Sequence, residues 1–325
     1  MNDFSQWLKR RSATLPTLDH LVVRHVRESP ETNVNGLELT TFGPFLVNKE
    51  AVVMSLTSQH ALSVEKGLTH VGSHLESHQD NEALCLAHIK NNTGDPEACK
   101  GGLRRLAMTS ALVAWFSDHN LAQCKKQAYV AGKLDRILYQ KAPNRGIWGA
   151  LAERNAMLWP LLSDHSQLVE WFANFDAIDV KRASKGGTFE FETYQSKLAL
   201  RGEWDKLGER SERFLADAPK RMERFAPDNR FYLALARGDI DSMESALAEL
   251  VTPKAVAWRN EHEGYTGWFI VVEAVIYAKI AWRHGYQLNV DTPWIPSAWL
   301  PVSSLPHYDE PYAFMQAFDI NMPIA

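Results

Sequence analysis

The 325-residue chain is poor in cysteine, the residue that builds disulfide frameworks and many metal sites. Its three cysteines, Cys85, Cys99 and Cys124, are irregularly spaced and include no CxxC pair. An odd, irregular set predicts free or buried thiols in a reducing compartment and argues against a disulfide-stapled secreted domain. A chain of this length also buries a sizeable core without the help of a disulfide or a metal.

Long apolar runs are scarce as well. The longest, residues 267–282, is interrupted by Glu273 and Lys279 and falls short of the roughly 20 residues that a membrane span needs. This run predicts a buried helix. The N-terminal segment has basic residues but no apolar run behind them, so it does not resemble a secretory signal. We therefore expect a cytoplasmic protein with no membrane partner.

Charge of either sign is not in large excess. Lysine and arginine total 35 and aspartate and glutamate total 39, which gives a formal net charge of -4. A nucleic-acid-binding domain usually carries a clustered basic surface, so this balance predicts no nucleic-acid partner. A mildly acidic protein is better suited to a partner that is itself basic.

The motifs of common enzyme classes are also missing. The chain has no G-x-S-x-G elbow, no Walker spacing around its KGGT sequence and no G-x-G-x-x-G after a strand. Asp176 and Asp179 have the spacing of an acid–base pair, but acids three residues apart are more typical of a solvated helix face. These observations predict a protein that is not an enzyme and needs no cofactor.

One histidine row is the candidate for a metal site. In the sequence HVGSHLESH, His70, His74 and His78 recur every four residues, so they lie near one face of a helix. The row drifts by about 40° per step, and Glu76 does not directly follow the first histidine as it does in zinc proteases. We favour a half-exposed row without metal, and a metal-dependent enzyme stays open as the alternative.

Helical periodicity dominates most of the chain, and extended patterning is confined to residues 37–47. The pattern predicts helices on both sides of residues 118–120 and a helix that begins after Asp164 as its N-cap. The basic, glycine-containing sequence KRASKGGTFEF predicts a boundary between an N-terminal helical block, residues 1–180, and a repeat-like part, residues 181–325. A single continuous domain is the alternative.

Two similar stretches, RGEWDKLGERSERFL and RGDIDSMESALAEL, stand about 36 residues apart. In each, a helix ends at Arg-Gly, where glycine takes the left-handed conformation that closes a helix, and an acid then begins the next helix. A period of this length is typical of stacked helical hairpins. We predict positive φ at Gly202 and Gly238, with Trp204 and Ile240 buried behind them.

The C-terminal stretch differs from the rest in composition. Residues 286–325 hold six of the fifteen prolines, interleaved with tryptophan, tyrosine and phenylalanine. Prolines stiffen such a segment and aromatic rings attach it, so an ordered, extended strap over the helical body is expected. The predicted fold is therefore all-α, with stacked helical hairpins and a C-terminal strap rich in proline and aromatic residues.

The same region resembles a known family. The helix sequence VVEAVIYAKIAWRHGY is followed by LNVDTPWIPSAWLPV and then by HYDEPYAFM. This order resembles the C-terminal signature of the Immunity-49 family of bacterial polymorphic toxin systems, over about residues 265–314. A group of nuclease-immunity proteins ends in a similar helix and aromatic tail.

The resemblance implies a cytoplasmic immunity protein of interbacterial competition, one half of a toxin–antitoxin pair, which binds one toxin without catalysis. A net acidic inhibitor favours a basic toxin, and a nuclease fits that description. The acids expected at the interface are Asp176 and Asp179, beside the basic loop, and Glu261 and Glu263, before the buried helix. Both groups lie where helices end. A helical-repeat adaptor unrelated to toxins is the remaining alternative.

Overall fold

The computed structural model describes residues 49–140, 152–175 and 179–323, with side chains from residue 57 onward. Every regular element within these ranges is helical, which confirms the predicted all-α class. The extended piece predicted at residues 37–47 lies outside the described residues.

Three long helices form the first part of the described chain: α1 (Lys49–Asn91), α2 (Pro96–Phe116) and α3 (Leu121–Tyr139). The side chains of Asp95 and Asn120 cap α2 and α3 by accepting backbone N–H groups of the first turn. Helix α1 packs on α2, and α2 packs on α3. The break before Asn120 confirms the predicted division near residues 118–120.

Shorter helices follow: α4 (Leu158–Ser163), α5 (Ser166–Asn174), α6 (Val180–Ala183), α7 (Phe189–Arg201), α8 (Trp204–Ala216), α9 (Ala226–Arg237), α10 (Ile240–Leu250), α11 (Pro253–Asn260), α12 (Val272–Arg283) and α13 (Ala313–Gln316). Turns of 3-10 helix lie at Lys220–Phe225, Thr266–Trp268 and Ser297–Trp299. Residues 272–281 of α12 are all buried, so this helix runs through the core, as its apolar sequence predicts. None of the described helices combines the length and the apolar character of a membrane span.

Helices α7 to α10 form two successive hairpins that pack on each other. Gly202 ends α7 with a φ of 71°, and Gly238 ends α9 with a φ of 69°, as predicted. The residue after each glycine donates its N–H to a carbonyl oxygen of the last helical turn, which satisfies the open end of the helix.

The side chains beyond these glycines differ from the prediction. Ile240 is 40% exposed, because it lies in the first turn of α10 and the buried face of that helix begins one turn later at Met243. Trp204 is only half-buried, and its ring packs edge-on against His284 with 4.6 Å between the ring centroids. The repeat therefore reproduces the backbone of the hairpin but not the environment of each side chain.

Asp164 also differs from its predicted role as the N-cap of α5. It ends α4 in the left-handed conformation, with a φ of 59°, and His165 caps α5 instead. The Asp164 carboxylate accepts Lys125 Nζ at 2.7 Å and Lys279 Nζ at 2.6 Å, and it is fully buried. The N–H of Ser303 donates to the same carboxylate at 3.2 Å. One aspartate thus joins α3, α12 and the C-terminal segment.

Residues 303–323 follow α3 and are bonded to it turn by turn. The bonds join Lys126 to Asp309, Tyr129 and Lys133 to Glu310, Arg136 to the carbonyl oxygens of Ile320 and Met322, and Gln140 to that of Pro323. The α3 residues recur three or four apart and so form one stripe on that helix. Because the partners advance in the same order on both elements, the segment runs parallel to α3.

A second buried ion cluster connects α12 to the hairpins. Arg259 of α11 donates to both carboxylate oxygens of Asp228, at 3.1 and 2.6 Å, and Arg154 pairs with Glu273 of α12 at 2.7 Å. Glu192 lies beside Asp228, and burial together with that negative charge raises the pKa of Glu192 to about 8. Glu192 is then largely protonated at neutral pH, so it adds little negative charge to the cluster.

We expect Asp164→Asn to lower the free energy of unfolding by about 3–5 kcal/mol, since two buried lysines would lose their carboxylate. Burial already lowers the pKa of Lys279 to about 8 against the opposing effect of Asp164. Lys279 in the variant should have a lower pKa still, so the loss of unfolding free energy should shrink as the pH rises towards about 8 and stay constant above it. Urea unfolding at a series of pH values measures this effect. Asp205→Asn, at an exposed position on α8, is the control, and equal losses in both variants would contradict the prediction.

Candidate binding surface

The loop that follows α11 lies against helix α1. We call residues 261–268 the 261–268 loop. Ser63 Oγ donates to the carbonyl oxygen of Trp268 at 2.7 Å, and His60 Nε2 lies 2.8 Å from the carbonyl oxygen of Phe269. A Cβ atom at Gly67 would lie 2.5 Å from the Trp268 Cβ atom, so the glycine is what allows helix and loop to approach so closely.

The predicted histidine row faces this loop. The rings of His70 and His74 are 4.6 Å apart between centroids, and His74 lies 5.1 Å from the ring of Tyr265. His78 Nε2 lies 3.2 Å from Tyr265 Oη, within hydrogen-bonding distance. The three histidine rings therefore pack along Tyr265. Among the described residues, no group of three or more His, Cys, Asp or Glu side chains could hold a metal ion.

We expect the purified protein to contain no stoichiometric zinc or iron, because the three rings already pack on one another and on Tyr265. Elemental analysis tests this directly. Thermal melts with and without a chelator, for the wild type and for the variant with alanine at His70, His74 and His78, provide the functional comparison. A melt that is chelator-sensitive in the wild type and insensitive in the triple variant would instead favour the metal-dependent enzyme.

Two cavities lie on the same surface, and Arg105 of α2 lines both. The first has a volume of about 280 Å³, and its polar lining consists of Arg104, Arg105, Asn155, Glu263, Tyr265 and Thr266. The second has a volume of about 470 Å³, and its wall includes His78, Asn81, Cys85, His88, Cys99 and Arg105. The two cysteines of this wall are free thiols, as is the buried Cys124, which agrees with the expectation from their spacing.

The adjacent arginines Arg104 and Arg105 have different environments. Arg104 Nε pairs with the buried carboxylate of Asp135 at 2.6 Å, which attaches α2 to α3. Arg105 is exposed, and no carboxylate in the described part of the chain lies within ion-pair distance of it. Burial and then the Arg105 charge lower the pKa of His78 from its ordinary 6.5, so His78 is neutral at pH 7. Arg105 is therefore a positive charge without an ion pair among the described residues, although Glu263 and Asp95 also line the two cavities.

Two of the four acids predicted for an interface belong to the region before α6. Asp176 lies outside the described residues. Asp179 is exposed, but its Oδ1 atom accepts two backbone N–H groups of α6, at 2.8 and 3.1 Å, and so caps that short helix. No hydrogen bond or ion pair among the described residues joins Asp179 to the other predicted acids. Its carboxylate has a structural role as well as an exposed position.

The other two acids belong to the 261–268 loop. Glu261 is exposed at the end of α11, whereas Glu263 is half-buried, which differs from the exposed position expected for it. Both carboxyl oxygens of Glu263 lie 2.9 Å from Asn155 Nδ2. Burial, and to a smaller extent the charge of Glu273, raises the pKa of Glu263 to about 7. Glu263 is thus partly protonated at neutral pH.

We expect Glu263→Gln to flatten part of the pH dependence of stability. With a folded-state pKa of about 7 against an ordinary 4.5, the carboxyl stabilises the folded protein fully below about pH 4.5, and this contribution is lost as the pH rises through about 7. Glutamine resembles the protonated carboxyl. As the pH rises from about 4.5 to about 7, the free energy of unfolding of the variant should therefore increase by about 1–3 kcal/mol relative to that of the wild type. Chemical denaturation across this range measures the gain. Glu261→Gln is the exposed control, and parallel curves for Glu263→Gln and the wild type would contradict the expectation.

Sequence reasoning identified the histidine row and the acids of the 261–268 loop but missed Arg105 and Asn155. The signal for Arg105 is weak and lies in the pair Arg104–Arg105 within an otherwise apolar stretch. Consecutive residues on a helix point about 100° apart, so both arginines do not reach the same buried acid. Nothing in the sequence indicates that Asn155 would lie beside Glu263, because the two are distant in the chain.

The described chain is thus an all-α protein of helical hairpins with a polar, aromatic-lined surface beside the 261–268 loop. Residues 199–299 match the family described as Immunity protein 49, which confirms the predicted resemblance. The match covers about a third of the chain, from the end of α7 to the 3-10 turn after α12. Its description supports the role of an immunity protein. No curated protein and no solved structure matches the chain.

Proposed function

We propose that this chain is a cytoplasmic immunity protein that binds one bacterial toxin and blocks it by stoichiometric association. The match of residues 199–299 to the Immunity protein 49 family carries this proposal. The matched residues build α8 of the first hairpin, the whole second hairpin, the 261–268 loop and the buried α12, so they include surface as well as core. Neutralisation then requires only that the bound protein covers the active site of the toxin or holds it distorted.

The rigidity of the scaffold supports this mode of action. Helix α12 is fixed to its neighbours by Glu273 in one buried ion cluster and by Lys279 in the other. A surface held on such a scaffold loses little conformational freedom on binding, so more of the contact energy appears as affinity. The partly exposed rings of Tyr265 and Trp268 are of the type that contributes strongly at protein interfaces.

The partner we propose is basic, and a nuclease toxin fits best. The net charge of -4 would favour the approach of a positively charged partner over long range. Of the four acids predicted for the interface, Asp179 and Glu261 are exposed in the described part of the chain and available for this steering. Glu263 would contribute less, because its carboxyl is bonded to Asn155 and partly protonated at neutral pH.

We expect a titration of toxin activity to reach its endpoint near an equimolar ratio. The toxin to use is the product of the gene directly upstream, since an immunity gene lies next to the gene of its toxin. Below equimolarity, the residual activity should equal the molar share of unbound toxin. If one copy disarms many toxin molecules over time, the protein acts as an enzyme and the proposal is wrong.

Co-expression of the two genes provides the cellular counterpart. Growth rescue together with co-purification of the two proteins is the expected result. If the chain neither rescues growth nor co-purifies, a helical-repeat adaptor unrelated to toxins becomes the better interpretation. An unrelated helical protein expressed at the same level controls for non-specific effects on toxin production.

A further inference from the structure

Arg105 is an exposed cation without a counter-ion on a surface that is concave. Most arginines of the described chain pair with a carboxylate, a carbonyl oxygen or an aromatic ring. Arg105 and Arg213 are the two whose guanidinium groups have no hydrogen bond, ion pair or ring contact within the described ranges. Arg213 lies on α8 and lines neither of the cavities beside the 261–268 loop, whereas Arg105 lines both. Arg105 therefore combines a free positive charge with a place where a ligand group can be enclosed.

The groups around Arg105 indicate what kind of group can enter. Tyr265 and Met108 supply apolar and aromatic surface in the cavity of about 280 Å³. A peptide segment of a protein partner can bring apolar side chains to this surface together with a polar group for Arg105.

The charge of the site indicates an acidic ligand group. Arg104 is already paired with Asp135, so Arg105 supplies the available positive charge. The carboxyl of Glu263 in the same wall is partly protonated near neutral pH, so it repels an incoming anion less than a fully ionised carboxylate would. A guanidinium group binds a carboxylate through two parallel hydrogen bonds, and this pairing is stronger in a sheltered site than on an open surface.

We propose that Arg105 anchors the toxin interface by pairing with an aspartate or glutamate on a loop of the toxin. An apolar neighbour of the acid packs against Met108 and Tyr265. This inference rests on the proposed function, because the toxin is the occupant. The acids of this chain would attract a basic toxin over long range, and Arg105 adds a contact of the opposite sign at short range. In that contact, a single acidic residue of an otherwise basic toxin fills the cavity beside Arg105.

The test compares the affinity of the toxin, the product of the upstream gene, for Arg105→Gln and for Arg213→Gln. Both variants remove one exposed, unpaired positive charge, and only Arg105 lines the cavities. We expect Arg105→Gln to weaken Kd about 10- to 100-fold, mainly through faster dissociation, and Arg213→Gln to change Kd by less than about twofold. Arg105→Lys keeps the charge without the planar fork and should fall between them. Unchanged melting temperatures would establish that all three variants remain folded.

A second measurement identifies the chemistry of the partner group. Arg105→Glu should abolish binding, and one toxin variant in a scan that changes each surface acid to lysine should restore it. Wild-type affinity in Arg105→Gln, equal losses in Arg105→Gln and Arg213→Gln, or a scan without a rescuing position would each overturn the anchor while leaving the proposed function intact. If the wild type itself does not bind this toxin, the proposed function fails and the toxin is not the occupant of the site.

Discussion

The buried carboxylate of Asp164 is the interaction on which the arrangement of the helices depends. A carboxylate and two ammonium groups are tolerated in an apolar core only when each charge has its partner in place, so Lys125 and Lys279 hold their helices in one position relative to α4. The same carboxylate binds the Ser303 N–H and so orders the C-terminal segment. Apolar packing alone would specify these positions less strictly, because apolar contacts are not directional.

Helix α12 shows how two such clusters position one element. Its apolar sequence is interrupted by Glu273 and Lys279, and each of these residues belongs to a different cluster. They stand six residues apart, or about 9 Å along the helix axis. Two fixed points at this separation restrain both the sliding and the rotation of this helix. The 261–268 loop, which leads into α12, inherits this fixed position.

The features that could be predicted from sequence are those whose cause is local. Gly202 and Gly238 take positive φ because the two or three residues around them require it, and Asn120 caps α3 with its own side chain. The all-α class follows in the same way from helical periodicity. Asp164 was assigned the wrong role because its lysine partners are 39 and 115 residues away, and their long-range attraction outweighs the local preference for an N-cap.

The candidate binding surface was predictable only in part, for the same reason. The histidine row is a local pattern and lies on the predicted helix face, but its packing partner Tyr265 comes from a loop 187 residues beyond His78. The half-buried state of Glu263 depends on Asn155, 108 residues earlier. Arg105 is set apart from Arg104 only by the position of Asp135 on the neighbouring helix. Which charges are free and which are paired is therefore a property of the tertiary fold.

The attachment of residues 303–323 to α3 has a consequence for biosynthesis. Lys133 finds its carboxylate in Glu310, and Arg136 finds its acceptors in the carbonyl oxygens of Ile320 and Met322. The ribosome makes α3 long before it makes these partners, so a nascent chain carries unpaired cations on the α3 stripe. The contacts of α3 are therefore completed only when residues 303–323 have been made and have left the exit tunnel, since the partners of Lys133 and Arg136 lie 177 and 186 residues further along the chain.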